Sequence, residues 1–203
     1  MPGFVGRLRE LEALAEVAAR STEGPAAALV VGEPGTGKSR LLAEARGRAR
    51  LPHSFTVVGY EAERHVPLAA AAGLLRTLAE VPDHGPHVET LIFRPPDASG
   101  LEPVRVFEAA LRAFRALGPA LLVLDDLHWV DELSLALCHY LVRAAQDSGD
   151  RLALFAASRP GGSGASLVDW PPRRSPEPET EGKPGACLPS GTGVGLTGTS
   201  STS

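Results

Sequence analysis

Gly32-Glu33-Pro34-Gly35-Thr36-Gly37-Lys38-Ser39 decides the fold. These residues complete the P-loop pattern, a glycine-rich loop closed by lysine and serine. In such a loop successive backbone N–H groups point inward and form a nest for anionic oxygens. Gly35 and Gly37 let the chain turn where a Cβ would clash, and they allow a close approach to a ligand. Lys38 is expected to reach the β- and γ-phosphates, and the Ser39 hydroxyl to ligate Mg²⁺. Glu33, Pro34, Thr36 and Arg40 complete the expected phosphate-side set. A helix beginning here would point its positive end at the same phosphates.

Such a loop needs a strand before it and a helix after it. Ala27-Ala-Leu-Val-Val31 is a short apolar run suited to a buried parallel strand. Beyond Lys38, Leu41, Leu42, Ala45 and Ala49 fall at helical spacing. Both conditions hold.

Leu121-Leu-Val-Leu-Asp125-Asp126 is a second decisive stretch. Four apolar residues and then two acids predict a buried strand with carboxylates at its C-terminal end. In open α/β sheets that end faces the ligand crevice. Asp125 is expected to hold Mg²⁺ as the acidic partner of Ser39, and Asp126 to orient or deprotonate an attacking water. A third apolar run, Leu152-Ala-Leu-Phe-Ala-Ala157, leads into Ser158, Arg159 and Pro160. An arginine there can sense the γ-phosphate or steady transition-state charge.

Between these stretches, helices are expected over Arg7–Arg20, Leu68–Glu80, Val104–Phe114 and Glu132–Gln146, and a strand over Ser54–Tyr60. Val81–Gly100, rich in Pro, Gly, Asp and His, is expected to be a loop. Strands alternating with helices predict an α/β, three-layer P-loop NTPase sandwich with a mostly parallel sheet. The chain has 203 residues, 43% of them hydrophobic, and a net charge of −4. That charge argues against broad attraction to nucleic acid, which needs a basic face. No signal peptide or bilayer-length apolar run is visible. Cys138 and Cys187 make no disulfide framework, so the cytoplasm is the expected compartment. His84 and His87 have a spacing seen in metal sites, but no Cys or clustered acids complete a shell.

Phe4-Val-Gly-Arg7, Asp125-Asp-Leu-His-Trp-Val-Asp131 and Ser158-Arg-Pro160, together with the P-loop, resemble an AAA and STAND-type ATPase module. The pattern is most similar to the origin-recognition-like module of large bacterial LuxR-type transcriptional regulators. The resemblance implies ATP and Mg²⁺ as ligands. It places Val5 against the adenine, Gly32 to Ser39 around the phosphates, Ser39 and Asp125 on the metal, and Asp126 on the water. Lys38 and Arg159 would stabilise charge, with Arg159 as the sensor. A protein partner or self-association fits such a module; no membrane contact is expected, and no direct nucleic-acid binding by this chain, since no recognition helix or basic patch is evident.

Residues 1–160 are accordingly expected to form the ATPase domain, and 161–203 a disordered, low-complexity tail. The usual fifth strand and helical lid are expected to be missing. Without that strand, Ala27–Val31 would be an exposed apolar edge, as in a truncated product. The expected function is ATP binding with weak, Mg²⁺-dependent hydrolysis. The alternatives are a non-hydrolysing nucleotide switch and an incomplete fragment with little activity.

Overall fold

The computed structural model describes residues 7–93, 102–160 and 195–197. In chain order it contains α1 (Leu8–Arg20), β1 (Ala26–Val31), α2 (Lys38–Arg48), β2 (His53–Val58), α3 (Ala72–Ala79), α4 (Gly85–Phe93) and α5 (Pro103–Leu117). There follow β3 (Ala120–Asp125), α6 (Glu132–Ser148), β4 (Leu152–Ser158) and β5 (Gly195–Thr197). The strands form one sheet in the order β2-β3-β4-β1-β5, and every pair is parallel.

The strands read as unbroken apolar runs because both faces of the sheet are covered. Alternate residues divide between two cores. Ala26, Ala28 and Val30 of β1, Leu121 and Val123 of β3, and Phe155 of β4 pack with Leu11, Leu14, Leu41 and Leu42 of α1 and α2. Leu122, Leu124, Leu154 and Ala156 face the other way, against Leu75, Phe114, Leu137 and Leu141 of α3, α5 and α6. Cys138 is fully buried in that second core. Burial pushes its thiol up to about 12, which makes it a small hydrophobe rather than a nucleophile.

Two expectations are corrected. The stretch expected to be a loop over 81–100 contains α4. Gly85 is needed there for closeness, since a Cβ would meet the Ala79 carbonyl oxygen at 2.1 Å. Pro86 occupies the first turn, where its missing N–H costs nothing. Val88 is buried, and Leu91 and Ile92 pack on the second core. The breakers mark how the helix starts, not an absence of helix.

The second correction concerns the fifth strand. Leu29, Val30 and Val31 pair with Gly195, Leu196 and Thr197, so the half of β1 that leads into the P-loop is not an open edge. Three residues, glycine, leucine and threonine, are too few to display an alternating pattern. Their pairing answers the unpaired backbone groups of β1. The remainder of the expected disordered tail, and the expected missing lid, lie outside the described residues.

Asp131 ties the second core to the site. It is the N-cap of α6 and accepts from the Ser134 N–H at 2.9 Å. It also accepts from the N–H groups of Leu68 at 2.8 Å and Ala70 at 3.1 Å. Ser134 Oγ accepts from the Ala71 N–H at 2.9 Å. Leu68 sits at φ 61°, a costly angle for a branched residue, and these bonds hold it there. Burial would raise the Asp131 carboxyl pKa, but the hydrogen bonds from Ser134, Ala70 and Leu68 outweigh it and hold the pKa below the usual range.

Replacing Asp131 with Ala removes the cap and leaves backbone donors without partners. D131A should lower unfolding free energy by about 3 kcal/mol, from a cap of ~1 kcal/mol and orphaned donors of ~1 kcal/mol or more each. Urea denaturation followed by circular dichroism measures it, and a loss under about 1 kcal/mol would contradict this role.

Candidate functional site

Backbone ladders bring the three motif-bearing strand ends to one edge of the sheet. β4 lies between β1 and β3. Val31 is paired with Ser158, and Leu124 with Ala156. The Gly32 N–H donates to the Ser158 carbonyl at 3.3 Å, extending the ladder one residue into the P-loop. The chain leaves β1 and crosses over β4 and β3 to reach β2. In open α/β sheets the ligand crevice lies where strand order departs from chain order in this way. Gly32 follows β1 there, Asp125 ends β3 and Arg159 follows β4.

Gly35 and Gly37 have φ of 78° and 79°, left-handed values that a side chain would strain. Gly37 is the N-cap of α2 and has no side chain to cap the first-turn N–H groups. The first turn of α2 thus has no side-chain cap, the usual arrangement where a helix start receives an anion. Thr36 Oγ1 donates to the Glu33 carbonyl at 2.8 Å and braces the loop from inside. Lys38, the first residue of α2, is only 6% exposed. Its Nζ donates to the carbonyls of Gly32 at 2.8 Å and Glu33 at 3.0 Å. An ammonium has three N–H donors, so one remains for a ligand. Glu33, Pro34, Gly35, Gly37, Ser39 and Arg40 are exposed along the rim.

Across the crevice, Asp125 ends β3 at 9% exposure, and its Oδ1 accepts from the Asp126 N–H at 2.9 Å. Asp126 itself is left-handed, at φ 48° and ψ 49°. A non-glycine residue in that region costs roughly 1–2 kcal/mol and marks a place where the surrounding structure dictates the turn. A short 3₁₀ turn, Leu127–Trp129, follows at once. Gly59 holds this turn by contact. A Cβ on Gly59 would lie 2.5 Å from the Val130 nitrogen, 2.6 Å from the Trp129 carbonyl carbon and 2.7 Å from the Asp126 oxygen.

His128 follows the acids, on the 3₁₀ turn Leu127–Trp129. Arg159, Asp126, Lys38 and Asp125 all act on its charge. Burial lowers the His128 pKa, Arg159 and Lys38 lower it further, and the two acids oppose them, so the imidazole is neutral at pH 7. The residue as a whole is half-buried, but both ring nitrogens are shut from solvent and have no hydrogen-bond partner. Its ring packs 4.9 Å from that of Trp129. Arg64 and Arg159 each place a guanidinium carbon 5.8 Å from the Trp129 ring.

The donor set suits the groups that the sequence motifs suggest. Ser39 and Asp125 offer hydroxyl and carboxylate oxygens, the hard ligands that Mg²⁺ takes. Cationic Lys38 and the α2 amides suit phosphate oxygens. Of the residues expected at the site, Val5 lies outside the described residues, while the others stand on the crevice or its rim. Sequence reasoning missed Arg7, whose guanidinium donates to the Thr36 carbonyl and clamps the chain start onto the P-loop. It also missed Gly59 and the capping role of Asp131. The signal for Gly59 was an isolated glycine at the end of a strand, which marks close backbone approach. A cavity of about 240 Å³ between Phe114, Leu141 and Leu152 lies at the opposite end of the sheet and shares no residue with this crevice.

A profile of the AAA ATPase domain matches residues 3–155. The chain belongs to this AAA ATPase family. The match takes in the P-loop, the twin acids and most of β4, with Arg159 just beyond it. Among solved structures, Cdc6p from Pyrobaculum aerophilum is similar at a TM-score of 0.52 and 16% identity, over 83% of this chain and 43% of that one. The ORC1 protein of Aeropyrum pernix, solved in complex with DNA, is 24% identical over 78% of this chain and 40% of that one, at a TM-score of 0.49. At such identities the likeness to Cdc6p shows the fold alone. The chain spans less than half the length of either protein. No curated protein gives a significant sequence match. As an AAA ATPase domain, the chain carries a nucleotide-binding P-loop. No described helix is long and apolar enough to cross a membrane.

Gly59 offers a test that removes no polar group of the site. G59A must displace the turn that carries Asp126 and His128, because the clashing atoms are backbone. The variant should lose about 2 kcal/mol of stability, within the range for overpacking, and its hydrolysis should fall more than its nucleotide affinity. Melting curves and phosphate-release assays check this, and wild-type values for both would show that the turn yields freely.

Proposed function

We propose that this AAA ATPase domain binds ATP with Mg²⁺ and hydrolyses it slowly, as the nucleotide module of a larger cytoplasmic regulator. The observation that carries this reading is the pairing of β4 with both β1 and β3, which brings the strand ends that lead to Lys38, to Asp125 and Asp126, and to Arg159 to one edge of the sheet. The chemistry follows from those groups. The α2 amides and Lys38 grip the β- and γ-phosphates. Ser39 and Asp125 would hold Mg²⁺, which would supply positive charge against the phosphate oxygens. Asp126 orients a water and accepts its proton, while Arg159 neutralises charge that develops on the leaving phosphates. Residues 1–160 act as the module and 161–203 as a tail. The motif resemblance supports a place in a LuxR-type, STAND-like regulator, where the nucleotide state would control assembly with a protein partner or a second copy.

A thermal-shift titration with ATP, ADP and GTP, with and without Mg²⁺, tests the reading. ATP with Mg²⁺ should raise the melting temperature. K38A should weaken ATP binding by roughly 100-fold, the loss of one charge-assisted hydrogen bond worth about 2–3 kcal/mol. Equal ATP-induced shifts in wild type and K38A would sink it. D126N should leave ATP affinity within a few-fold and slow turnover by about 100-fold or more, the usual contribution of a general base. Unchanged phosphate release would assign the water to another group.

A further inference from the structure

We propose that Trp129 positions Arg159: the indole holds the guanidinium at the P-loop edge of the sheet without neutralising it, so that its charge is in place before the reaction needs it. The inference rests on the ATP-hydrolysis reading and adds a positioning residue to it.

Backbone geometry places the arginine. The Ser158 carbonyl accepts from the Gly32 N–H at 3.3 Å, so Arg159 leaves β4 beside the first residue of the P-loop. Arg159 is exposed, and its side chain is open to an incoming phosphate. Among the described residues its guanidinium meets no carboxylate or carbonyl oxygen. Its contact is with Trp129, whose ring centroid lies 5.8 Å from the guanidinium carbon. An exposed arginine held by nothing keeps its rotamer freedom, and any bond it makes to a ligand must overcome that entropy.

The indole is itself fixed. It ends the 3₁₀ turn Leu127–Trp129, where the Trp129 N–H donates to the Asp126 carbonyl at 2.8 Å. The Gly59 N–H donates to the Asp125 carbonyl at 3.1 Å, and a Cβ on Gly59 would lie 2.6 Å from the Trp129 carbonyl carbon. The His128 ring packs 4.9 Å from the indole at a tilt of 47°, with both its nitrogens shut from solvent. An imidazole closed off in that way serves as a buttress for its neighbour.

An indole suits this role better than an acid would. A carboxylate would cancel the guanidinium's charge and occupy its N–H fork. An indole attracts the cation through its π face and has a single N–H donor, with no oxygen to take that fork. The arginine's N–H donors and its full charge therefore remain for phosphate oxygens. Ordering the side chain in advance lowers the barrier, because its freedom is no longer lost as charge develops. Arg64, which ends the Glu61–Glu63 turn, also sets its guanidinium carbon 5.8 Å from the Trp129 ring and provides the control.

The test measures phosphate release and ATP affinity, with Mg²⁺, in W129L, R159A and R64A and in W129L combined with each arginine variant. W129L should slow turnover by about tenfold, the scale of a partly desolvated cation–π contact, with ATP affinity within about threefold. Adding W129L to R159A should slow turnover no further, whereas adding it to R64A should still cost about tenfold. W129F, which restores an aromatic face, should recover most of the loss. Additive losses in W129L with R159A, a fall in affinity as large as the fall in turnover, or coupling to Arg64 instead would overturn the assignment. If W129L does not fold, nitrogen-15 relaxation of the arginine Nε–H groups in the wild type decides. Arg159 should then be as rigid as Arg115, which donates to Asp150 at 2.8 Å and to Ser148 at 2.9 Å, and motion like that of a freely solvated arginine would overturn the assignment. Wild type that releases no phosphate would remove the hydrolysis reading along with this one, whereas wild-type turnover in W129L beside a slow R159A removes Trp129 alone.

Discussion

The parallel pairing of β4 with both β1 and β3 is the constraint on which everything else depends. Each ladder fixes register residue by residue, so the strand ends come level by backbone geometry rather than by side-chain choice. A slip of one residue would turn Phe155 from the α1–α2 core to the opposite one and carry Arg159 away from the P-loop. Burial of both sheet faces makes such a slip costly, because every residue of β3 and β4 is buried. The precision of the site is therefore derived from the hydrophobic packing of the sheet.

Second in importance is the way the site is braced from outside its own motifs. Gly59 follows β2, Asp131 precedes α6, and Arg7 precedes α1. Each acts on the site through backbone atoms: a close approach, three accepted N–H bonds, and a carbonyl contact on the loop. Left-handed Asp126 and Leu68 are tolerated because these braces over-determine the segments around them. Strain and support lie side by side, as expected where a turn must aim side chains rather than merely reverse the chain.

Much of this was legible in the sequence, for identifiable reasons. The P-loop, the acids after β3 and the arginine after β4 are local patterns whose chemistry depends on residue type and spacing, and the parallel sheet follows from apolar runs alternating with helical periods. What stayed hidden was set by contacts distant in sequence. α4 looked like a loop because Gly85, Pro86 and its histidines carry breaker chemistry, and only the close approach of Gly85 to Ala79 reveals their use. β5 is too short for any periodic signal and exists through its partner. The site edge joins three segments far apart in the chain, around Lys38, Asp125 and Arg159, which one sequence cannot bring together.

Trp129 carries a practical consequence. An indole flanked by two guanidinium groups and an imidazole sits in a strong local field, and its emission shifts whenever that field changes. The protein thus carries an intrinsic optical probe at the rim of its crevice, able to follow the arrival or departure of a charged guest without any attached dye.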